Sequence, residues 1–201
     1  LTANGNVADP NAIFTLSGGG NDLSSVISGE ATANDVGAAA YGMIASVNAL
    51  IQAGAKSIIV QNVPDLGQAP VATSQNAGPT ASYLTNNVYN AVLSPLSSLD
   101  EVYLFDSFTL HNLIKLNPAS YGITNLGGNC MLDAGAGDGD PTPDCSGYVF
   151  TDDRHPSADG HQLFGDFVTQ AALDMSPVPV PAALPLFASA LIGLGLMRRK
   201  G

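Results

Sequence analysis

Late in the chain, Phe150-Thr151-Asp152-Asp153-Arg154-His155-Pro156-Ser157 sets a carboxylate three residues ahead of a histidine, on a loop stiffened by proline. At that spacing Asp152 can reach the His155 imidazole, fix its tautomer and stabilise the imidazolium that forms when the ring acts as a base. A purely structural hydrogen bond is the plain alternative. Far upstream, Gly18-Gly19-Gly20-Asn21-Asp22 follows a short apolar run. Glycines let the backbone approach a bound molecule, and the Asn21 side-chain amide can donate a hydrogen bond to a developing oxyanion. Taken alone, such a string is most often a turn. His111 and His161 lack a carboxylate at this spacing and read as packing or surface residues.

These two groups need elements to hold them, and the hydrophobic pattern supplies an alternation. Ala12–Leu16 is an apolar run closed by glycines, which reads as a buried strand entering a tight loop. Ala33 to Ala53 carries Val36, Ala40, Ile44, Val47 and Ile51 on one helical face, with Gly54 placed to end the helix. Ser57–Val63 is a second strand, stopped by Pro64-Asp65-Leu66-Gly67. Thr80–Leu99 has helical spacing, with Pro95 expected to kink or shorten it. Glu101–Asp106 is a third strand, Thr109–Leu116 a short helix, and Ala158–Leu173 a last helix after a long loop rich in Gly, Asp and Pro. Strands alternating with helices predict the α/β class, with a parallel sheet covered on both faces.

The 201 residues carry 45% apolar and 11% charged side chains, enough to bury a core and far from a disordered composition. Six basic residues face 17 acidic ones, for a net charge of −11. Arg198, Arg199 and Lys200 are half of the cations, so residues 1–197 carry −14. A surface this acidic repels phosphate backbones and excludes nucleic acid as a partner. Cys130 and Cys145 flank a loop of Gly, Pro and Asp, and a bridge there would contribute roughly 3 kcal/mol by the chain-entropy model. Two free thiols are the alternative. No His pair lies near enough to complete a zinc set, and no metal is expected. Asp133, Asp138, Asp140 and Asp144 could suit calcium, but the EF-hand spacing is absent and solvated loop acids are far commoner.

The tail from residue 175 onward reads as a separate unit. No charge occurs between Met175 and Met197; Val178-Pro179-Val180-Pro181-Ala182 precedes an apolar stretch, 183–197, and Arg198-Arg199-Lys200 follows. Fifteen residues span roughly 22 Å as a helix, against a hydrocarbon core of roughly 30 Å, so spanning draws on residues back to Val178. A buried core helix is the alternative. The three-part order resembles the PEP-CTERM sorting signal, in its Val-Pro-x-Pro-Ala variant, of Gram-negative bacteria. That resemblance implies an exosortase-type partner, an inner-membrane helix at 183–197 before processing, and an exported domain spanning 1–174.

Taken in order, the Gly-x-Asn-Asp string at 19–22, Asn62-Val63-Pro64-Asp65-Leu66-Gly67-Gln68-Ala69-Pro70, Tyr121–Asn125 ahead of Cys130, and Asp152-x-x-His155-Pro156 resemble blocks of the SGNH (GDSL) hydrolase family. The resemblance covers about residues 12–173 and is nearest to the secreted esterase and phospholipase branch. It implies a flavodoxin-like three-layer sandwich, an ester substrate such as a lipid or acylated carbohydrate, and no cofactor. His155 would be the general base, Asp152 its orienting carboxylate and Asn21 an oxyanion donor. Gly19 would permit the tight turn, and Asp22 would brace the loop.

The family's Gly-Asp-Ser nucleophile block does not occur in this sequence, and neither does a Gly-x-Ser-x-Gly elbow. Ser17 and Ser157 lack the strand-to-helix setting a nucleophile needs. Residue 1 is Leu, the first Met is Met43, and three strands are few for such a sheet, which usually has about five or six. The expectation is therefore the C-terminal portion of a serine esterase whose Ser and first strands lie upstream. In the family's 2-1-3-4-5 order the first strand here would be the third, with an open edge and poor solubility expected. The rival expectation is a non-catalytic surface or matrix protein that keeps the scaffold.

Overall fold

The computed structural model describes residues 5–136 and 143–175. Three parallel strands, β1 (Ile13–Ser17), β2 (Ser57–Gln61) and β3 (Val102–Phe105), form a sheet in the order β1-β2-β3. Ile13 lies beside Ser57 and Ile58 beside Val102, with no break in register. β2, Ser-Ile-Ile-Val-Gln, is central, and its three apolar residues are all buried because the pleat sends them alternately to two covered faces. Ile58 and Val60 join one core with Leu23, Val36, Val47 and Leu93. Ile59 joins the other with Phe105, Leu110, Ile114, Phe150 and Ala171. The molecule is thus an α/β sandwich of three layers.

The first of those faces is covered by α1 (Gly20–Ile27), α2 (Ala33–Gln52) and the segment 78–98. α2 starts where Asp35 accepts hydrogen bonds from both Thr32 N (2.8 Å) and Thr32 Oγ1 (2.7 Å), and stops at Gly54, whose φ is +101°. Residues 78–98 are not one kinked helix. They run as α4 (Gly78–Tyr83), a π-helical turn (Leu84–Asn90), α5 (Ala91–Leu93) and a 3-10 turn (Ser94–Ser98) that Pro95 opens. The wide turn buries two neighbouring polar residues, Tyr89 and Asn90, and the Asn90 side chain then pairs with Val63 N (3.1 Å) and Val63 O (2.9 Å) as a strand would.

The opposite face is covered by α6 (Ser107–Leu116) and α8 (Ala158–Met175). α6 begins two residues before Thr109 because Asp106 caps it, accepting from Thr109 N at 3.1 Å. The expected long loop contains a second, two-stranded parallel sheet, β4 (Asn125–Asn129) with β5 (Tyr148–Phe150), separated by α7 (Cys130–Asp133). Its sequence, Asn-Leu-Gly-Gly-Asn, has almost no strand propensity. Contacts from elsewhere supply what propensity does not, including Gly147 O, which accepts from both Thr124 N and Asn125 N (2.9 Å each). Cys130 and Cys145 form a disulfide, with Cα atoms 5.7 Å apart.

β1 pairs with β2 alone among the described residues, and its Thr15 and Ser17 are exposed. No described helix is long and apolar enough to cross a membrane. The apolar stretch 183–197 and Asp138 and Asp140 of the acidic loop lie outside the described residues.

Candidate active site

A cleft of about 630 Å³ opens at the carboxyl end of β1 and β2, the end of a parallel sheet where ligands bind. Gly19, Asn21, Asp22 and His155 all line it. The two sequence groups, more than 130 residues apart, therefore meet across one cavity.

His155 stands on a short loop that β5 feeds into the cleft. Thr151 N donates to His155 O (2.8 Å), closing the loop on itself. Asp152 sits inside it: Oδ1 accepts from Arg154 N (2.8 Å) and His155 N (2.7 Å), and Oδ2 lies 2.7 Å from His155 Nδ1. Burial works to raise the Asp152 pKa, but the His155 and Arg154 amides and the His155 ring together hold it below the ordinary value of 3.8. An ionised carboxylate only accepts hydrogen bonds, so Nδ1 of His155 carries a proton, which in the neutral ring leaves Nε2 a free lone pair. The His155 side chain is 64% exposed and Asp152 34%, so the ring is open to a reacting molecule while its partner is half-sheltered. Arg154 makes a two-pronged pair with Asp153, at 2.9 and 3.0 Å, and also lines the cleft.

Ser157 cannot serve as a nucleophile. It is buried, its Oγ donates to Tyr148 O and accepts from Gly160 N (3.0 Å), and it caps α8. Ser17 ends β1 and lines the cleft. Among the described residues no serine hydroxyl hydrogen-bonds to His155.

The glycine string is less a loop than a helix start. Gly19 is the N-cap of α1 at φ +94°, and Asn21 and Asp22 lie in its first turn, exposed at the cleft. Only glycine fits at 19. Its φ disfavours any side chain, and a Cβ there would lie 2.2 Å from Tyr89 Cζ. Tyr89 is itself fully buried, its pKa pushed up to about 12 by burial and then by the Asp22 carboxylate. Asp22 has this electrostatic role on Tyr89, with its carboxylate at the helix end where negative charge is favoured.

The Pro64–Pro70 segment braces one wall of the cleft, which Pro64, Asp65 and Leu66 line. Buried Asp65 accepts from Gly67 N (3.1 Å), Gln68 Nε2 (2.9 Å) and Ser82 Oγ (2.5 Å). A Cβ at Gly67 would meet Ser82 Oγ at 2.0 Å and Gly78 O at 2.3 Å, so the segment lies directly on α4. Just beyond it, at the start of α3 (Pro70–Ser74), Val71 N donates to Asp153 O at 2.8 Å. That bond ties the brace to the histidine loop.

Two further histidines, His111 and His161, line the cleft from outside the motifs. All three histidines of the chain thus line one cavity. His111 was identifiable as a core position, because buried Ser107, Leu110, His111 and Ile114 follow the i, i+3, i+4, i+7 rule on α6. Its ring packs against Phe150 (5.9 Å) and Phe164 (6.4 Å). Neither nitrogen has a hydrogen-bond partner among the described residues, and burial lowers its pKa from 6.5 to about 4. No cluster of three or more possible metal ligands occurs among the described residues.

A family described as GDSL-like Lipase/Acylhydrolase matches residues 1–168. The chain is 35% identical over 176 residues to an uncharacterized protein in the trpE-trpG intergenic region of Pseudomonas putida, covering 82% of this chain and 29% of that one. It is 36% identical over 174 residues to Esterase EstA of Pseudomonas aeruginosa and to Esterase EstA of Pseudomonas putida, covering 80% of this chain and 26% of each. The chain therefore spans less than a third of the length of these relatives. Matched along most of its length, with the cleft at the end of a parallel sheet where such a fold places it, the chain belongs to the GDSL-like lipase/acylhydrolase family.

Proposed function

We propose that the chain supplies the base and oxyanion side of a serine ester hydrolase, and that the nucleophilic serine lies on a segment upstream of Leu1. The observation that carries this is the 2.7 Å contact from Asp152 Oδ2 to His155 Nδ1, which leaves Nε2 free in the same cleft as Asn21. In the reaction, Nε2 takes the proton of the serine hydroxyl as its oxygen attacks the ester carbonyl. The oxyanion is held by the Asn21 amide and backbone N–H groups, and the imidazolium by Asp152. Collapse expels the alcohol, which takes the proton from His155; water then repeats the sequence on the acyl-enzyme and releases the acid. The apolar wall formed by Val149, Phe150, Phe164 and Val168 suits an acyl chain. The edge of β1, unpaired among the described residues, supports the upstream segment, since an added strand would take up its free N–H and C=O groups.

The same reading takes the protein as exported from a Gram-negative cell. The stretch 183–197 would hold it in the inner membrane until an exosortase-type enzyme acts near 178–182. What supports this is the order of prolines, apolar stretch and terminal cations.

The test is to read the DNA upstream of the Leu1 codon and assay the product on p-nitrophenyl butyrate. An in-frame Gly-Asp-Ser block is expected, with turnover that His155→Ala lowers by about a thousandfold or more. A longer frame without that serine, or activity that survives His155→Ala, overturns the proposal.

A further inference from the structure

We propose that the Cys130–Cys145 disulfide is a positioning element of the Asp152–His155 pair. It holds the histidine loop and not the main sheet, so the pair keeps its geometry only while the bridge is oxidised. This rests on the reading of that pair as catalytic.

The bridge and its neighbours grip one residue, Thr151, from two sides. Cys130 opens α7, and the next amide, Met131 N, donates to Thr151 O at 3.0 Å. Cys145 Sγ lies 3.8 Å from Thr151 Oγ1, and Cys145 O accepts from Tyr148 N (3.0 Å) at the start of β5. Thr151 N in turn closes the loop on His155 O, and Asp152 is the next residue. From Cys130 the path to Asp152 is therefore one peptide bond to Met131, one hydrogen bond to Thr151 and one further peptide bond.

The strands beside it restrain the loop only weakly. β4 and β5 have matched register only at Asn125–Tyr148 and Asn129–Phe150, with an irregularity between them. β4 is glycine-rich and buries none of its five residues. β5 is held by Ser157 N on Val149 O (2.8 Å), Ser157 Oγ on Tyr148 O and the burial of Val149 and Phe150, but within residues 151–155 the one other backbone bond from outside, among the described residues, is Val71 N to Asp153 O. By contrast, β1, β2 and β3 and the core on their α2 side contain neither cysteine. Loss of the bridge should then relax the loop and leave the main sheet standing. In the reduction a dithiol gives two electrons and two protons to the S–S bond, leaves Cys130 and Cys145 as thiols, and becomes a cyclic disulfide.

The readout is the His155 tautomer, seen in long-range proton–nitrogen spectra of the ¹⁵N-labelled chain at neutral pH. In the oxidised chain His155 is expected to be a single Nδ1–H tautomer. After dithiothreitol, that signature is expected to be lost to a mixture dominated by Nε2–H, and to return on reoxidation. His161 should not change, and β2 amides should keep their protection against hydrogen exchange. The Cys130→Ser/Cys145→Ser double variant should match the reduced chain. If that variant does not fold, reduction of the folded chain decides alone. An unchanged His155 tautomer overturns the proposal, and so does loss of β2 protection alongside the tautomer, since the bridge would then support the whole domain. An oxidised chain without the Nδ1–H tautomer defeats the catalytic reading itself, and the positioning role with it.

Discussion

His111 makes acid the sharpest probe of how this fold is held together. The residue is 2% exposed, both ring nitrogens lack partners among the described residues, and Phe150 and Phe164 pack against it. Burial lowers its pKa from 6.5 to about 4; the Asp65 carboxylate opposes that shift and Lys115 adds to it. The unfolded chain takes up a proton near pH 6.5, and the folded chain refuses it until about pH 4. Between those values the unfolded state binds more protons, so stability falls as pH falls. The full difference is worth about 3 kcal/mol, of which about 2 kcal/mol is lost by pH 5. The carboxylates held below 3.8, Asp35, Asp106, Asp144 and Asp152, contribute stability that is lost only as the pH falls through their lower folded values, so they stay largely silent at pH 5. With a urea slope of about 2.5 kcal/mol/M, the midpoint should fall by about 0.8 M between pH 7.5 and pH 5. His111→Phe keeps the ring and removes the titration, so its midpoint should move far less over that range. Equal losses in the two proteins would refute the reasoning.

Two further substitutions probe the frame around the cleft. Gly19→Ala forces a Cβ onto Tyr89 at a positive φ, and should cost about 2–4 kcal/mol in urea unfolding. Combined with Tyr89→Ala, it should cost less than the sum of the two, because the clash is then gone. Asp65→Ala strands the Gly67 and Gln68 donors and the Ser82 hydroxyl in a buried site, and should lower stability by about 3 kcal/mol. A loss under 1 kcal/mol would mean that water replaces the carboxylate.

The elements of the main sheet were legible because their signals are local. β2 is an unbroken Ile-Ile-Val run between a glycine and a proline, and α2 shows its apolar face every three or four residues. The pairing of Asp152 with His155 was legible for the same reason, since three residues on one loop can hardly avoid each other. What stayed hidden depends on distant partners. β4 reads as loop because Gly-Gly carries no strand preference, and it exists through contacts with residues some twenty positions away. The π-helical turn has no sequence mark of its own; its worth lies in bringing Tyr89 under Gly19 and Asn90 onto Val63.

Asp152 and His155 are set by backbone N–H groups: Met131 on Thr151, Thr151 on His155, Val71 on Asp153, and two amides on the Asp152 carboxylate. None of these donors is a side chain, so no pattern of residue types announces them. Most substitutions at Met131 or Val71 leave the N–H in place, and only proline removes it. Truncating Val71 would register as lost packing, whereas removing its amide would release Asp153 with the core nearly intact. Outside the Cys130–Cys145 bridge, the histidine loop is therefore tolerant of side-chain change behind it and sensitive to backbone change, the reverse of what holds at β2, where every apolar side chain is buried.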